Sequence, residues 1–377
     1  MAASIEDNTR RQTVRLSATL SLYIARNVLL GFAVAVFGLA VLALLVDTIE
    51  LLRRAGDKPE ATFGVVLRMA LLHLPFLIQK LLPFAVLFGS MYSFQRLTRS
   101  HELVAARSVG VSAWQFLMPA TMVAAGVGLF VVTAFNPLAA AMVARFEQLD
   151  QAYFSSRASL ATVSGGGLWL RQAEAGEEIV IHARQMTREP PVLEQVSVFF
   201  YEDGVHFVRR VDAPVARLEP GAWVLTDPAI VTIDGERATP GELVIPTDLT
   251  PGRIQENFAP PETMSFWDLP GFIRSLEAVG FSAREHRLYW HGLLAMPLLL
   301  SAMLMIGMTF SLRLVRRGGT GLLGVAGLVT GFAFYIMSDV VFAIGLSGRL
   351  PVVLAAWTPA GIAILLGMTT QFHLEDG

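Results

Sequence analysis

Hydrophobic positions fall into two kinds of run along this chain, with changes of pattern near residues 150 and 262. Before the first change, residues 28–46 and 111–144 are long, apolar and uncharged. Residues 67–94 are equally apolar but are broken by Arg68, His73, Pro75, Lys80 and Pro83. That run is expected to be long, kinked and partly interfacial. Asn136-Pro137 marks the expected far end of the third run. After the second change come residues 293–312, 318–338 and 350–372. A bilayer core about 30 Å thick takes roughly 20 apolar residues per helix. The pattern therefore predicts six spans in two groups of three.

Between the groups the apolar runs shorten and alternate, the period of a half-buried strand. Residues 178–182 (EIVIH), 196–201 (VSVFFY), 205–211 (VHFVRRV), 223–225, 229–233 and 242–245 read as strands of 3–7 residues. Turn signals separate them: the triple glycine at 165–167, Glu189-Pro190-Pro191, Asp203-Gly204, Pro220-Gly221, Asp234-Gly235, Pro240-Gly241 and Pro251-Gly252. Short strands with frequent turns indicate an antiparallel sandwich or jelly roll. In residues 266–279, Phe266, Leu269, Phe272, Ile273, Leu276 and Val279 recur at helical spacing. They predict an amphipathic helix on the membrane surface that joins this domain to the second group of spans. The expected organisation is residues 1–149 (N-terminal arm, spans one to three), 150–262 (β domain) and 263–377 (connecting helix, spans four to six).

Composition agrees. The 377 residues are 54% hydrophobic and 16% charged, against about 45–50% and about 25% for soluble chains. A net charge of −2 argues against nucleic acid as a partner. With no cysteine there is no disulfide framework, thiolate metal site or cysteine nucleophile. Neither lysine, Lys58 nor Lys80, follows a glycine-rich loop, so the chain has no P-loop for ATP. No His/Glu cluster has metal spacing, no GxSxG occurs and no paired carboxylates face each other within a span. Catalytic and metal-ligating residues are therefore expected to be absent, and His182 and His206 are read as structural.

Loop arginines set the expected orientation. With the N-terminus inside, the inner segments carry Arg10, Arg11, Arg15, Arg26, Arg96, Arg99, Arg107, Arg313, Arg316 and Arg317, against Arg53, Arg54, Lys58 and Arg349 outside. Ten against four places both termini in the cytoplasm and the β domain outside it. The first apolar run is full length and lacks a small-residue cleavage site, so it is expected to remain as helix one.

The inner loop at 96–111 (RLTRSHELVAARSVGV) places Glu102, Leu103, Ala106 and Val109 on one helical arc. It reads either as an interfacial helix that only connects two spans or as a docking helix for a cytoplasmic motor. The loop also resembles the coupling segment of the LptF/LptG family, the lipopolysaccharide-export permeases. Further matching stretches are GGGLWLR at 165–171, MSFWDLPGFIRSLEAVG at 264–280, FSLRLVRRGG at 310–319, GFAFYIMSDV at 331–340 and AAWTP at 355–359. They cover essentially the whole chain in order and are most similar to the LptG branch. His291 departs from the pattern, where lysine is expected after the tryptophan.

The resemblance implies a membrane α-helical bundle of six transmembrane helices (3+3) with an inserted periplasmic all-β jelly-roll-like domain, in the bacterial inner membrane. It implies an ABC-transporter permease subunit that is not itself an enzyme and binds no cofactor. ATP and Mg would be used by a dimer of an LptB-like ATPase. The other implied partners are a paralogous LptF-like subunit and an LptC-like single-helix protein, with lipopolysaccharide as substrate. The segment at about 97–110, with Arg99, His101, Glu102, Leu103 and Arg107, would be the ATPase-coupling helix. Asp47, Arg53, Arg54 and Arg145 would hold the phosphorylated lipid headgroup, for which arginine forks are suited. Those basic residues also suit ordinary interfacial snorkelling. Asp339 ends a long apolar run and reads as an intramembrane acid or, in preference, a hydrated interfacial one. His73 and Lys80 are expected to line a cavity or snorkel. Two other readings stand beside export: a mechanotransmission permease that moves an external domain without passing substrate, and an intramembrane lipid-modifying enzyme.

Overall fold

The computed structural model describes residues 18–375, apart from 57, 59–60, 103–107, 109–112, 155–159, 165–166, 175–176, 189–190, 203–205, 248, 251–253, 255–257 and 315–319. Among the described residues, six helical stretches are long and apolar enough to cross a membrane. They are α1 (Ala18–Ala55), α2 (Phe63–Arg99), a third span built from α3 (Ala113–Phe130) and α4 (Asn136–Tyr153), α6 (Arg284–Leu314), α7 (Thr320–Leu346) and α8 (Val352–Glu375). A nine-stranded antiparallel sheet and the short helix α5 (Leu269–Ala278) lie between the fourth helix and the sixth. The chain is thus a helical membrane bundle with an inserted β domain, as the alternating runs predicted.

Two expectations about the spans need correction. The third span does not end at Asn136-Pro137. It passes through a single π-helical turn, Val131–Phe135, and continues as α4 to Tyr153. Proline lacks an amide proton and cannot close the helical ladder, and a π-bulge with an outside donor absorbs the defect. The donor is the Trp267 indole N–H, 3.1 Å from the Thr133 carbonyl, four residues before Pro137. In addition, α2 runs to Arg99 through Pro75 and Pro83, so residues 97–99 belong to the second span. The chain turns at Ser100 and at His101, whose φ of 59° is left-handed.

The centre of the bundle is α6, with 67% of its most apolar window buried, against 17% for α1 and 11% for α7. Val28 and Phe32 of α1, Val86 and Phe94 of α2, Ala120 of α3 and Met303 and Leu304 of α6 share one core. The helices α1 and α2 meet at two glycines. A Cβ at Gly31 would stand 2.1 Å from Ser93 Oγ and 2.6 Å from the Gly89 carbonyl oxygen. Where lipid removes the hydrophobic drive between helices, such backbone-to-backbone approach supplies the packing.

The sheet has the order β1-β2-β3-β4-β5-β6-β9, with β7 paired to β5 and to β8. Its strands are β1 (Leu160–Ser164), β2 (Gly167–Glu174), β3 (Glu177–Arg188), β4 (Pro191–Glu202), β5 (His206–Glu219), β6 (Ala222–Thr226), β7 (Ala229–Thr232), β8 (Arg237–Ala238) and β9 (Glu242–Pro246). The middle strands, of 12, 12 and 14 residues, exceed the 3–7 expected. In β3 and β4 the skipped pair Arg184 and Gln195 breaks the alternation. Leu168, Leu170, Ile179, Ile181, Val198 and Val211 point into a core closed by Trp223, Leu225 and Ile245, and α5 adds Ile273 and Leu276.

The amphipathic helix predicted at 266–279 forms as α5 and is built into that core. It ends in a Schellman motif. The Phe281 amide donates to the Leu276 carbonyl at 2.9 Å and the Gly280 amide to that of Glu277 at 3.1 Å. Gly280 has φ 94° and lies so close to β3 that a Cβ would meet the Met186 oxygen at 2.2 Å.

Gly31→Leu is expected to drive α1 from α2 and to lower stability by about 1–3 kcal/mol. Gly38→Leu, with nothing within 4 Å of its Cβ position, is expected to leave stability unchanged. Thermal unfolding of the two variants in the same detergent measures the difference.

Candidate functional site

The ends of α1 and α4 and the start of α2 gather a cluster of ionisable groups on the side that carries the β domain. Leu51, Val66, Met69 and Phe146 pack beneath them and hold the three helices together. Asp47 Oδ1 lies 3.0 Å from His73 Nδ1, and the imidazole is stacked on Phe146 with ring centroids 4.5 Å apart. Glu50 accepts from Arg53 at 2.8 Å and from Arg54 at 3.3 Å. Arg54 also reaches Asp150 at 3.8 Å, and Lys58 donates to the Phe154 carbonyl at 3.3 Å.

Arg68 and Arg145 differ from these. They line one cavity of about 340 Å³ with Leu72, Gln148 and Leu149. Neither meets a carboxylate within ion-pair distance among the described residues. Arg53 and Arg54, by contrast, are held by Glu50. The structure therefore brings Asp47, Arg53, Arg54 and Arg145 to one end of the bundle and adds His73, expected to line a cavity or snorkel, and Arg68, which sequence reasoning saw only as an interruption of a span. Arg68 and Arg145 stand 77 positions apart, and only the pairing of α2 with α4 makes them neighbours.

A second cavity, also about 340 Å³, opens between α2, α6 and α7. Phe76, Phe84, Leu293, Met296, Phe334 and Phe342 make it apolar, and Lys80, Glu262, Ser338 and Asp339 supply its polar edge. Lys80 thus lines a cavity as expected, and Asp339 is exposed at its rim. The Ser338 hydroxyl is buried without a partner among the described residues. Beside this cavity the buried Asn136 donates to Gln79 at 3.3 Å and to the Tyr289 hydroxyl at 3.4 Å, and accepts from the Phe266 amide at 2.7 Å. One side chain so joins α4, α2, α6 and the segment leading to α5. Glu262 sits in the 3-10 turn Pro261–Thr263. Burial pushes its carboxyl above the usual carboxylate range, Glu285 adds to the rise, and Lys80 opposes it.

At the opposite end of the bundle, Arg99 closes α2, and the exposed Glu102 follows the turn at His101. Leu103 and Arg107 lie outside the described residues, as do Arg10, Arg11, Arg15, Arg316 and Arg317. Among the described residues no group of His, Asp and Glu could hold a metal ion.

The family model described as lipopolysaccharide export system permease LptF/LptG matches residues 22–371. The lipopolysaccharide export system permease protein LptG of Escherichia coli (strain K12) is 22% identical over 361 residues, spanning 93% of this chain and 96% of the relative. LptG of Haemophilus influenzae is 22% identical over 364 residues, spanning 92% and 96%.

Because the folded state holds the Glu262 proton more tightly than the unfolded chain, this group favours folding fully only below about pH 4.5. That contribution is lost as pH rises through the elevated value. Glu262→Gln is expected to stabilise the protein at neutral pH, with the gain shrinking towards pH 4.5. Unfolding midpoints across this range test the sign.

Proposed function

The chain belongs to the LptF/LptG family of lipopolysaccharide export permeases, and we propose that it is the membrane half that draws the glycolipid sideways out of the bilayer and passes it towards the β domain. It is a transporter membrane subunit and not an enzyme. The observation that carries the finer reading is the Arg68–Arg145 cavity between α2 and α4, where two guanidinium groups meet no carboxylate among the described residues. Arginine forks match phosphate oxygens bidentately, and partial desolvation strengthens such bonds. Arg53 and Arg54, resting on Glu50, supply further donors at the same level.

The acyl chains need a separate account. Each buried CH₂ is worth about 0.8 kcal/mol, so a glycolipid with roughly six chains of about 12 carbons would need on the order of 50 kcal/mol if bared to water. The chains must go from bilayer to apolar cavity to apolar groove without that exposure. The cavity between α2, α6 and α7 offers an apolar wall, and the thinly buried α1 and α7 would form the lateral opening with a paralogous LptF-like subunit. Force would come from a cytoplasmic LptB-like ATPase, which handles ATP and Mg, through the Glu102 segment. An LptC-like protein would continue the route beyond the β domain. In this reading both termini are cytoplasmic and the β domain is periplasmic.

The charge reversal Arg68→Glu with Arg145→Glu is expected to lower crosslinking of lipopolysaccharide to a photoreactive residue at Leu72 by at least about tenfold, in the complex reconstituted with its partners. Undiminished crosslinking would reduce these arginines to snorkelling residues. Glu102→Arg is expected to abolish ATP-driven release while leaving that crosslink intact. Release at the parent rate would remove Glu102 from force transmission.

A further inference from the structure

A third cavity belongs to neither site above. It measures about 1070 Å³ and lies between the outer face of the sheet and α5. From the sheet come His182, Arg184, Gln185, Gln195, Ser197 and Arg210, and from α5 come Gly271, Arg274, Ser275 and Ala278. We infer that this cleft is a second anion site, which takes the phosphorylated headgroup of a membrane lipid at the bilayer surface.

Four observations converge on it. First, the wall contributes three arginines and no carboxylate. Arg210 is neutralised by Asp212 at 2.8 Å, whereas among the described residues Arg184 and Arg274 meet only neutral acceptors, Gln195 Oε1 at 3.1 Å and the Pro270 carbonyl at 3.2 Å. Each guanidinium keeps donors for an anion, in the fork that suits a phosphate. Second, the sheet deviates from regularity there. The β3–β4 register pairs Ala183 with Val196 and Gln185 with Glu194, skipping Arg184 and Gln195. Met186 and Leu193 return to the core after the skip, which leaves Arg184, Gln185 and Gln195 all turned to the cleft. Gln195 sits at φ 52°, a conformation that costs a non-glycine residue about 1 kcal/mol or more. Strain of this kind gathers at binding sites, because the surrounding structure must hold it in place.

Third, α5 is two-sided. Leu269, Ile273 and Leu276 are buried, while Gly271, Arg274, Ser275 and Ala278, spaced as one helical stripe, line the cleft. Gly271 has nothing within 4 Å of its Cβ position, so this wall is open. Fourth, α5 lies five residues before α6 enters the membrane, and the exposed Trp267 precedes it, a residue typical of the headgroup level. An anion reaching the cleft from the bilayer is therefore a lipid headgroup. The volume admits a phosphorylated sugar or a glycerophosphate. The site goes beyond the export reading, because it requires neither ATP nor the Arg68–Arg145 cavity.

The test uses the full chain in phosphatidylcholine nanodiscs with a photoreactive residue at Ala278. The discs are plain, or doped with lipid A (a bis-phosphorylated glycolipid) or with phosphatidylglycerol. Doped discs should give a lipid adduct that plain discs lack, and the stronger arm identifies the headgroup. Arg184→Glu with Arg274→Glu should reduce the adduct at least about tenfold, while the paired lysine substitutions should retain most of it and show that the cleft still folds. Equal adducts from plain and doped discs, or an unchanged adduct in the glutamate pair, would overturn the site. So would removal of the adduct by inorganic phosphate at concentrations too low to alter bulk screening, which would make the ligand free phosphate. Release in the reconstituted complex is scored separately, so failure of this site and failure of the export reading are distinguishable.

Discussion

The missing amide proton of Pro137 is the constraint around which the two halves of this molecule meet. Within a helix, proline leaves the carbonyl four residues before it without its ladder donor. The third span opens one π-turn, and the Thr133 carbonyl accepts the Trp267 indole. Asn136, left buried by the same turn, accepts the Phe266 amide and donates to Gln79 and Tyr289. The short segment between the β domain and α5 is therefore fastened directly to the third span, and through Asn136 that span is tied to α2 and α6. The same segment leads into α5, whose Ile273 and Leu276 pack into the core of the sheet.

Charge in the bundle follows a related economy. Most ionisable groups at the β-domain end are answered locally: Asp47 by His73, and Glu50 by Arg53 and Arg54. Against that background the two arginines without carboxylates, Arg68 and Arg145, stand out as donors available to a ligand. The cleft beside α5 repeats the arrangement outside the bundle, with Arg210 answered and Arg184 and Arg274 open. The two sites differ in depth. One is set among membrane helices, and the other is walled by a sheet and a surface helix.

Much of the architecture was legible because its signals are local. Six apolar runs and a central stretch of period-two alternation follow directly from the solvent each segment must meet. The strands β1 and β2 escaped notice although Leu168 and Leu170 alternate with Trp169 and Arg171, because the preceding glycines read as a turn. The bend at Asn136-Pro137 was read as a terminus because proline usually stops a helix. The donor that rescues it lies 130 residues away, at Trp267.

Sequence alone determined the 3 + β + 3 membrane plan, since hydropathy period is a property of neighbours along the chain, and its motifs in order carried the resemblance to the permease family. That resemblance also implied Asp47, Arg53, Arg54 and Arg145 as candidate headgroup ligands. Only the tertiary structure decided which cations are free. Whether an arginine is spent on a carboxylate or left for a phosphate depends on what folding sets across from it: Glu50 for Arg53 and Arg54, and nothing acidic for Arg68, Arg145, Arg184 or Arg274 among the described residues. Ion pairing is a contact between distant positions, and only packing sets it.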